Sequence, residues 1–551
     1  MRTRFISTWI ALAALGLDTP VTAQVSAQVG DYDLVIRNGR VLDGNGNPWI
    51  GADVAIKDGR FARIGKVEGH GRREIDASGK YVSPGWIDML DQSGDALLQN
   101  GTAESKLRMG VTTGISGEGG TVVAAEKLPE YFGQLEKSGI SMNFGTYYNE
   151  AQARVEVLEY AARAPTAEEL GRMQGILETA MKNGALGMTT ALIYPPSSYA
   201  TTAELIEMAK VAAKYGGIYA THMRGEGAEL LQSIQEAIHI GETGGLPVEI
   251  FHLKAAYQPG WGKLMTEAGR LIEQARARGV DIAADMYLYT AGGTGLEAVI
   301  PSWAHEGGSE ELVKRLSDPE IRARLKNEIH TGSPGWWNVV EASGGWEHIV
   351  LASSSNEEDA RLVGKSIAAI AAEKGKDAAD TAFDLVARSK TRVSAIYFMM
   401  SDGDIETAVK FPWVSLGSDA EAVNPKPGAP AELQHPRTFG NFPRLIARYV
   451  REQHVITLED AIRKMTSWPA TRLRLPNRGS IKEGMWADAV IFDFARIQDR
   501  ATFQDPTLGP EGIDYVLVNG QVVIDQGKHT GAKPGRILYG PGWRVGGDGN
   551  D

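Results

Sequence analysis

From about Val82 to Met465, short β-branched or apolar runs alternate with stretches of helical periodicity. A chain that repeats strand and helix in this way builds parallel sheet, because parallel neighbours are joined through crossover helices. Candidate strands end at Leu90, Gly117, Tyr147, Leu192, Thr221, Phe251, Tyr287 and Ser418. Eight of them predict an α/β fold closed into a (β/α)8 TIM barrel.

The intervening helices carry start signals. Thr166-Ala-Glu-Glu169 and Thr201-Thr-Ala-Glu204 both fit a capping box, in which the threonine oxygen and the glutamate each satisfy a free backbone N–H. After the second box, Leu205, Met208, Ala209 and Ala212 fall on one helical face, read as core, and Gly216-Gly217 ends the run. Between the seventh and eighth strands the alternation breaks over about 301–360, where Trp303, Trp336, Trp337 and Trp346 cluster with glycines and acidic stretches. This insertion reads either as a lid over the barrel mouth or as a surface excursion that only packs.

Both chain ends are strand-rich. Asp33–Ile36, Asn38–Leu42, Asp53–Ile56 and Arg60–Ile64 are separated by Asn, Asp and Gly turns, and a similar pattern returns in Ala487–Phe492 and Tyr515–Val523. Alone, this fits one small β-sandwich from both termini or two unrelated hairpins. The expected organisation is a segment 30–84 and a segment 471–545 flanking a barrel over 85–470.

Residues 1–23 read as an export signal: Arg2 and Arg4, an apolar stretch from Phe5 to Leu17, then Val21-Thr22-Ala23 as a small-residue cleavage pattern. The run is too short to span roughly 30 Å of hydrocarbon, and the expected location is periplasmic or secreted. No later segment is apolar enough for a membrane span. The formal charge of −12, with no basic cluster, argues against nucleic acid as a partner. The absence of cysteine among 551 residues removes disulfides, thiol nucleophiles and Cys-ligated metals.

In a βα barrel, chemistry sits at the C-terminal ends of the strands. Four endings place a polar group there: Glu118, His222, His252 and Asp419. Taken singly, each has an ordinary explanation as a hydrogen-bonded histidine, a turn carboxylate or a helix cap. Together, one carboxylate and two imidazoles supply three ligands to a divalent ion and leave a position open for water, a catalytic count. Such an ion lowers the pKa of its water to roughly 7 and polarises a carbonyl. Asp419 can then move the proton to a leaving amine.

A set of segments makes the chain recognisable. They are Ser83–Asp88, Gly110–Thr113, Gly184–Gly187 with Leu192–Pro195, Tyr219–Arg224, His252–Lys254 with Trp261–Lys263, Asp285–Thr290, Gly417–Asp419, His435–Arg437 and Arg478–Gly484 followed by Ala487-Asp488. Through them the sequence resembles the amidohydrolase superfamily, and within it the N-acyl-D-amino-acid deacylases, over nearly all of the mature chain. The resemblance implies a TIM barrel with a β-sandwich from both termini. It implies His222 and His252 as metal ligands, Asp419 as the proton-transfer group, and Lys254, Tyr194, Tyr287 and Arg437 as holders of the substrate carboxylate.

Two departures sharpen this expectation. Where the superfamily presents His-x-His after the first strand, positions 90–92 read Leu-Asp-Gln, so a second metal is expected only if Asp88, Asp91, Gln92 or Asp95 supplies oxygens. Where these deacylases have a cysteine ligand, Glu118 stands, as in the single-metal N-acetylglucosamine-6-phosphate deacetylases. One ion is expected, zinc first, with manganese or iron as alternatives. The expected activity is hydrolysis of N-acyl amino acids, D-configured by the resemblance. A dipeptidase or other amide hydrolase of the superfamily is the nearest alternative, and a non-catalytic binding protein on a degenerate barrel is the alternative of another class. The oligomeric state is left open.

Overall fold

In the computed structural model, the described residues are 31–389, 392–424 and 433–544. The export signal read over residues 1–23 lies outside them. Eight parallel strands form the barrel: Trp86–Asp88, Val111–Ser116, Asn143–Thr146, Gly187–Ala191, Ile218–His222, Val248–Ile250, Ile282–Met286 and Val414–Leu416. Every residue of these strands is buried, as expected where helices cover the outside and side chains fill the inside. The barrel closes where Met89 N–H donates to Leu416 O at 3.2 Å and Asp419 N–H to Leu90 O at 2.8 Å.

A buried charge reinforces this closure. The Lys106 ammonium, fully buried on the short helix Glu104–Arg108, lies 2.8 Å from Asp88 and 2.7 Å from Asp91, and donates to Ser418 Oγ and Ala420 O, both at 2.6 Å. It therefore ties the end of the first strand to the end of the eighth. Burial, and the neighbouring Asp91 carboxylate, push the Asp88 carboxyl up against the pull of Lys106.

The terminal strands join into one hydrogen-bonded β-sandwich network. Ala489–Phe492, from the C-terminal side, pairs antiparallel with Tyr81–Pro84, which pairs in parallel with Tyr32–Val41. The two N-terminal runs read as separate strands are one strand, bulged between Ile36 and Gly39, where Asn38 takes a φ of +59°. Conversely, Tyr515–Val523 divides into Ile513–Val518 and Gln521–Asp525. Asn519 and Gly520, both at positive φ, form the tight turn between them. Trp86 anchors the sandwich to the barrel: its ring stacks on Phe442 at 6.3 Å and meets the sandwich residue Phe492 edge-on at 6.1 Å. Gly110 makes room for it, since a Cβ there would stand 2.5 Å from the Trp86 ring.

The capping box at Thr166 is complete. At Thr201 only half forms: the hydroxyl accepts from Glu204 N, while the Glu204 carboxylate pairs with buried Arg154. Ion pairing in the core outcompetes the exposed backbone N–H that the box would have served. The insertion is wider than the 301–360 tract. Its centre is an antiparallel sheet of Ala291–Gly295, Ser394–Phe398 and Ile349–Ser353, with helices packed on a second hydrophobic core.

Candidate metal centre and active site

Glu118, His222 and His252 converge as a buried group whose ligand atoms all lie within 4.8 Å of one another. Glu118 Oε1 is 3.1 Å from His222 Nδ1 and 2.9 Å from His252 Nε2, and the two imidazoles meet edge-on at 4.4 Å. The local backbone aims each group. Gly117, at a φ of +108°, turns the chain where a Cβ would sit 2.6 Å from Tyr147 O, and Asn149 Nδ2 donates to Glu118 O. His252 and Asp419 both hold left-handed backbone, at φ +36° and +49°, a strain of order 1–3 kcal/mol that surrounding structure must overcome. For His252, Asp285 supplies part of that restraint by accepting its N–H at 2.8 Å.

Burial opposes ionisation of Glu118, but hydrogen bonds from His222 and His252 overcome it and hold the carboxyl well below its usual range. A carboxylate and two imidazoles aimed at one point fit a divalent metal ion.

Behind the histidines lies Glu226, a residue that sequence reasoning missed. Its Oε1 is 3.1 Å from His252 Nδ1 and accepts from Lys254 Nζ at 2.7 Å, while Oε2 is 3.6 Å from His222 Nε2. Burial disfavours its charge, yet Lys254 and both histidines keep it ionised. One carboxylate thus lies behind both imidazoles, and the Lys254 ammonium also stands 2.7 Å from His252 Nδ1.

Asp419 stands across the site. Its Oδ2 is 2.8 Å from Arg437 Nη1, and its Oδ1 accepts from Gln92 Nε2 at 3.1 Å. The same Gln92 nitrogen donates to Glu118 Oε2 at 2.6 Å. Of the four residues considered as oxygen donors for a second metal, none joins the group of Glu118, His222 and His252. Asp88 and Asp91 are engaged by Lys106. Asp95 is exposed and accepts from Gln99, and Gln92 presents its nitrogen.

All eight residues singled out in the sequence line one cavity of about 970 Å³. Arg437 lies over the Tyr287 ring at 4.6 Å and Lys254 over the same ring at 5.7 Å. The buried Arg437 Nε has no hydrogen-bond partner, and Nη1 is engaged by its ion pair with Asp419. Tyr194 shares a 2.5 Å hydrogen bond with Thr294. Burial raises both phenols, so Tyr194 and Tyr287 stay protonated donors. The insertion builds one wall, through Gly292–Thr294, Trp337, Val339, Arg392, Tyr397 and Met399. Of its four tryptophans only Trp337 reaches the cavity; Trp303 and Trp336 bond within the insertion, to Glu328 and Ala298 O.

Comparison with known proteins places this geometry. The amidohydrolase family model matches residues 73–524. The D-aminoacylase of Alcaligenes xylosoxydans xylosoxydans is 31% identical over 92% of this chain and 97% of its own. The N-acyl-D-glutamate deacylase of the same organism is 33% identical over 92% and 96%. Among solved structures, an N-acyl-D-glutamate deacylase from Bordetella bronchiseptica, complexed with zinc and a phosphonate mimic of the tetrahedral intermediate, superposes with a TM-score of 0.77. It is 30% identical over 92% of this chain and 99% of that one. The chain belongs to the amidohydrolase family, and its homologues along nearly the whole length are the N-acyl-D-amino-acid deacylases.

Proposed function

We propose that this amide hydrolase cleaves N-acyl D-amino acids with a single divalent ion, zinc by preference, held by Glu118, His222 and His252. The convergence of those three ligand atoms beside Asp419, in one cavity with an unsatisfied arginine, carries the reading. A bound ion supplies Lewis acidity, activating water and polarising the acyl carbonyl. Asp419 accepts the proton of the attacking water and hands it to the amide nitrogen as the C–N bond breaks. The acyl carbon gains OH, the nitrogen gains H, and a carboxylic acid and a free amino acid leave.

Arg437 offers its unpartnered Nε–H and its positive charge to the substrate carboxylate. Tyr194 and Tyr287, lining the same cavity, add phenol donors, and Lys254 adds positive charge. The D configuration is supported by the names of the relatives. The N-terminal sequence supports export to the periplasm or beyond. The test is a hydrolysis screen of N-acetyl D- and L-amino acids and dipeptides with added zinc or manganese. Turnover confined to the D-series is expected; no turnover of any amide would refute the reading.

A further inference from the structure

We propose that Gln92 takes the place of a second cation, its amide nitrogen joining Glu118 to Asp419 and holding the site to one ion. The inference rests on the single-ion reading above and extends it to a residue outside the metal ligands. Two carboxylates facing one point need positive charge or N–H donors between them. Gln92 Nε2 supplies donors to both, at 2.6 Å to Glu118 Oε2 and 3.1 Å to Asp419 Oδ1. A donor carried by the chain itself does not exchange with solvent as an ion does.

The strand-one positions beside it are apolar or paired with a cation. Leu90, fully buried in the barrel core, offers no donor atom. Asp88 and Asp91 are held by Lys106. Gln92 is thereby a positioning residue: it keeps Oδ1 of Asp419 turned toward the metal ligand while Arg437 holds Oδ2.

The experiment counts ions by elemental analysis of gel-filtered, folded protein equilibrated with excess zinc. Wild type should hold one equivalent. Gln92→Glu has the same shape without the donors and would set three carboxylates together, so it should hold two. Gln92→Ala removes the donor between the two carboxylates and should lose about 10–100-fold in kcat, the range for removing an outer partner of a metal site, with KM within about twofold. A wild type that takes up two ions, or a Gln92→Glu protein that stays at one, overturns the proposal. So does a Gln92→Ala enzyme with unchanged kcat. The ion count needs no substrate, so a one-ion wild type inactive on every amide would sink the deacylase assignment and leave this role intact. A wild type holding no ion would end both.

Discussion

Glu226→Gln is the substitution that most directly tests how the metal centre is held. The side chain keeps its shape and an acceptor oxygen, so packing in this buried position is preserved. What it loses is charge. In the native chain two short contacts to Glu226 are charge-assisted, from Lys254 Nζ at 2.7 Å and from His252 Nδ1 at 3.1 Å, while His222 Nε2 lies further off at 3.6 Å. Hydrogen bonds to charged groups contribute about 1.5–3 kcal/mol against about 0.5–1.5 for neutral ones, so each contact weakens by about 1 kcal/mol. Two of them make about 2 kcal/mol, and at about 1.4 kcal/mol per decade this weakens zinc binding by about 30-fold. The assay is a competition titration with a chromophoric chelator at fixed pH, on wild type and variant. Zinc affinity within about threefold of wild type would refute the argument that the Glu226 charge supports the metal ligands.

Other perturbations separate structure from chemistry. Lys106→Met strands the buried Asp88 and Asp91 carboxylates. It should destabilise the fold by about 3–5 kcal/mol, read as a fall in Tm, and adding Asp88→Asn and Asp91→Asn should recover part of the loss. Arg437→Ala should raise KM for N-acyl amino acids by about 10–100-fold, from about 1.5–3 kcal/mol of lost hydrogen bonding. KM for the matching carboxamides should be unchanged, and an equal rise for both would remove Arg437 as the carboxylate holder. Burial, with the Glu204 carboxylate beside it, pushes Glu150 up to about 8 from a usual 4.5. The folded chain therefore keeps a proton that the unfolded chain loses in that window, and stability falls as pH rises through it. Glu150→Gln should flatten that slope of Tm against pH, and an unaltered slope would show that Glu150 does not create it.

What could be read from the sequence followed from locality. An apolar run that stops on a polar residue marks both a barrel strand and the place where a side chain emerges at its mouth. Glu118, His222, His252 and Asp419 were therefore visible along with the fold. Glu226 was not, because in Gly225-Glu226-Gly227 it looks like a solvated turn; only the packing of the loop beneath Lys254 and the histidines buries it. Lys106 has the look of a surface charge on a short helix until the barrel closes over it. The extent of the insertion escaped for a related reason. Its first strand, Ala291-Gly-Gly-Thr-Gly295, lacks β-branched patterning and is held by pairing with Ser394–Phe398, some hundred positions later.

Those hidden residues share a logic that bears on the number of ions. Glu226 is neutralised by Lys254, Asp419 by Arg437, and the Asp88 and Asp91 pair faces Lys106. Among these ion-paired groups Glu118 is the carboxylate left with only imidazoles and the Gln92 amide. A first divalent ion finds that carboxylate and two imidazoles waiting. A second would have to displace Arg437 from Asp419 or Lys106 from its aspartates, exposing a buried cation each time, and such uncompensated charge costs several kcal/mol. On the single-ion proposal, Leu90 and Gln92, where the superfamily presents histidines, belong to the same charge arrangement. Restoring histidines at 90 and 92 alone should bind a second zinc more weakly than the first, because Asp419 remains committed to Arg437; equal affinity at both positions in a zinc titration would refute this balance.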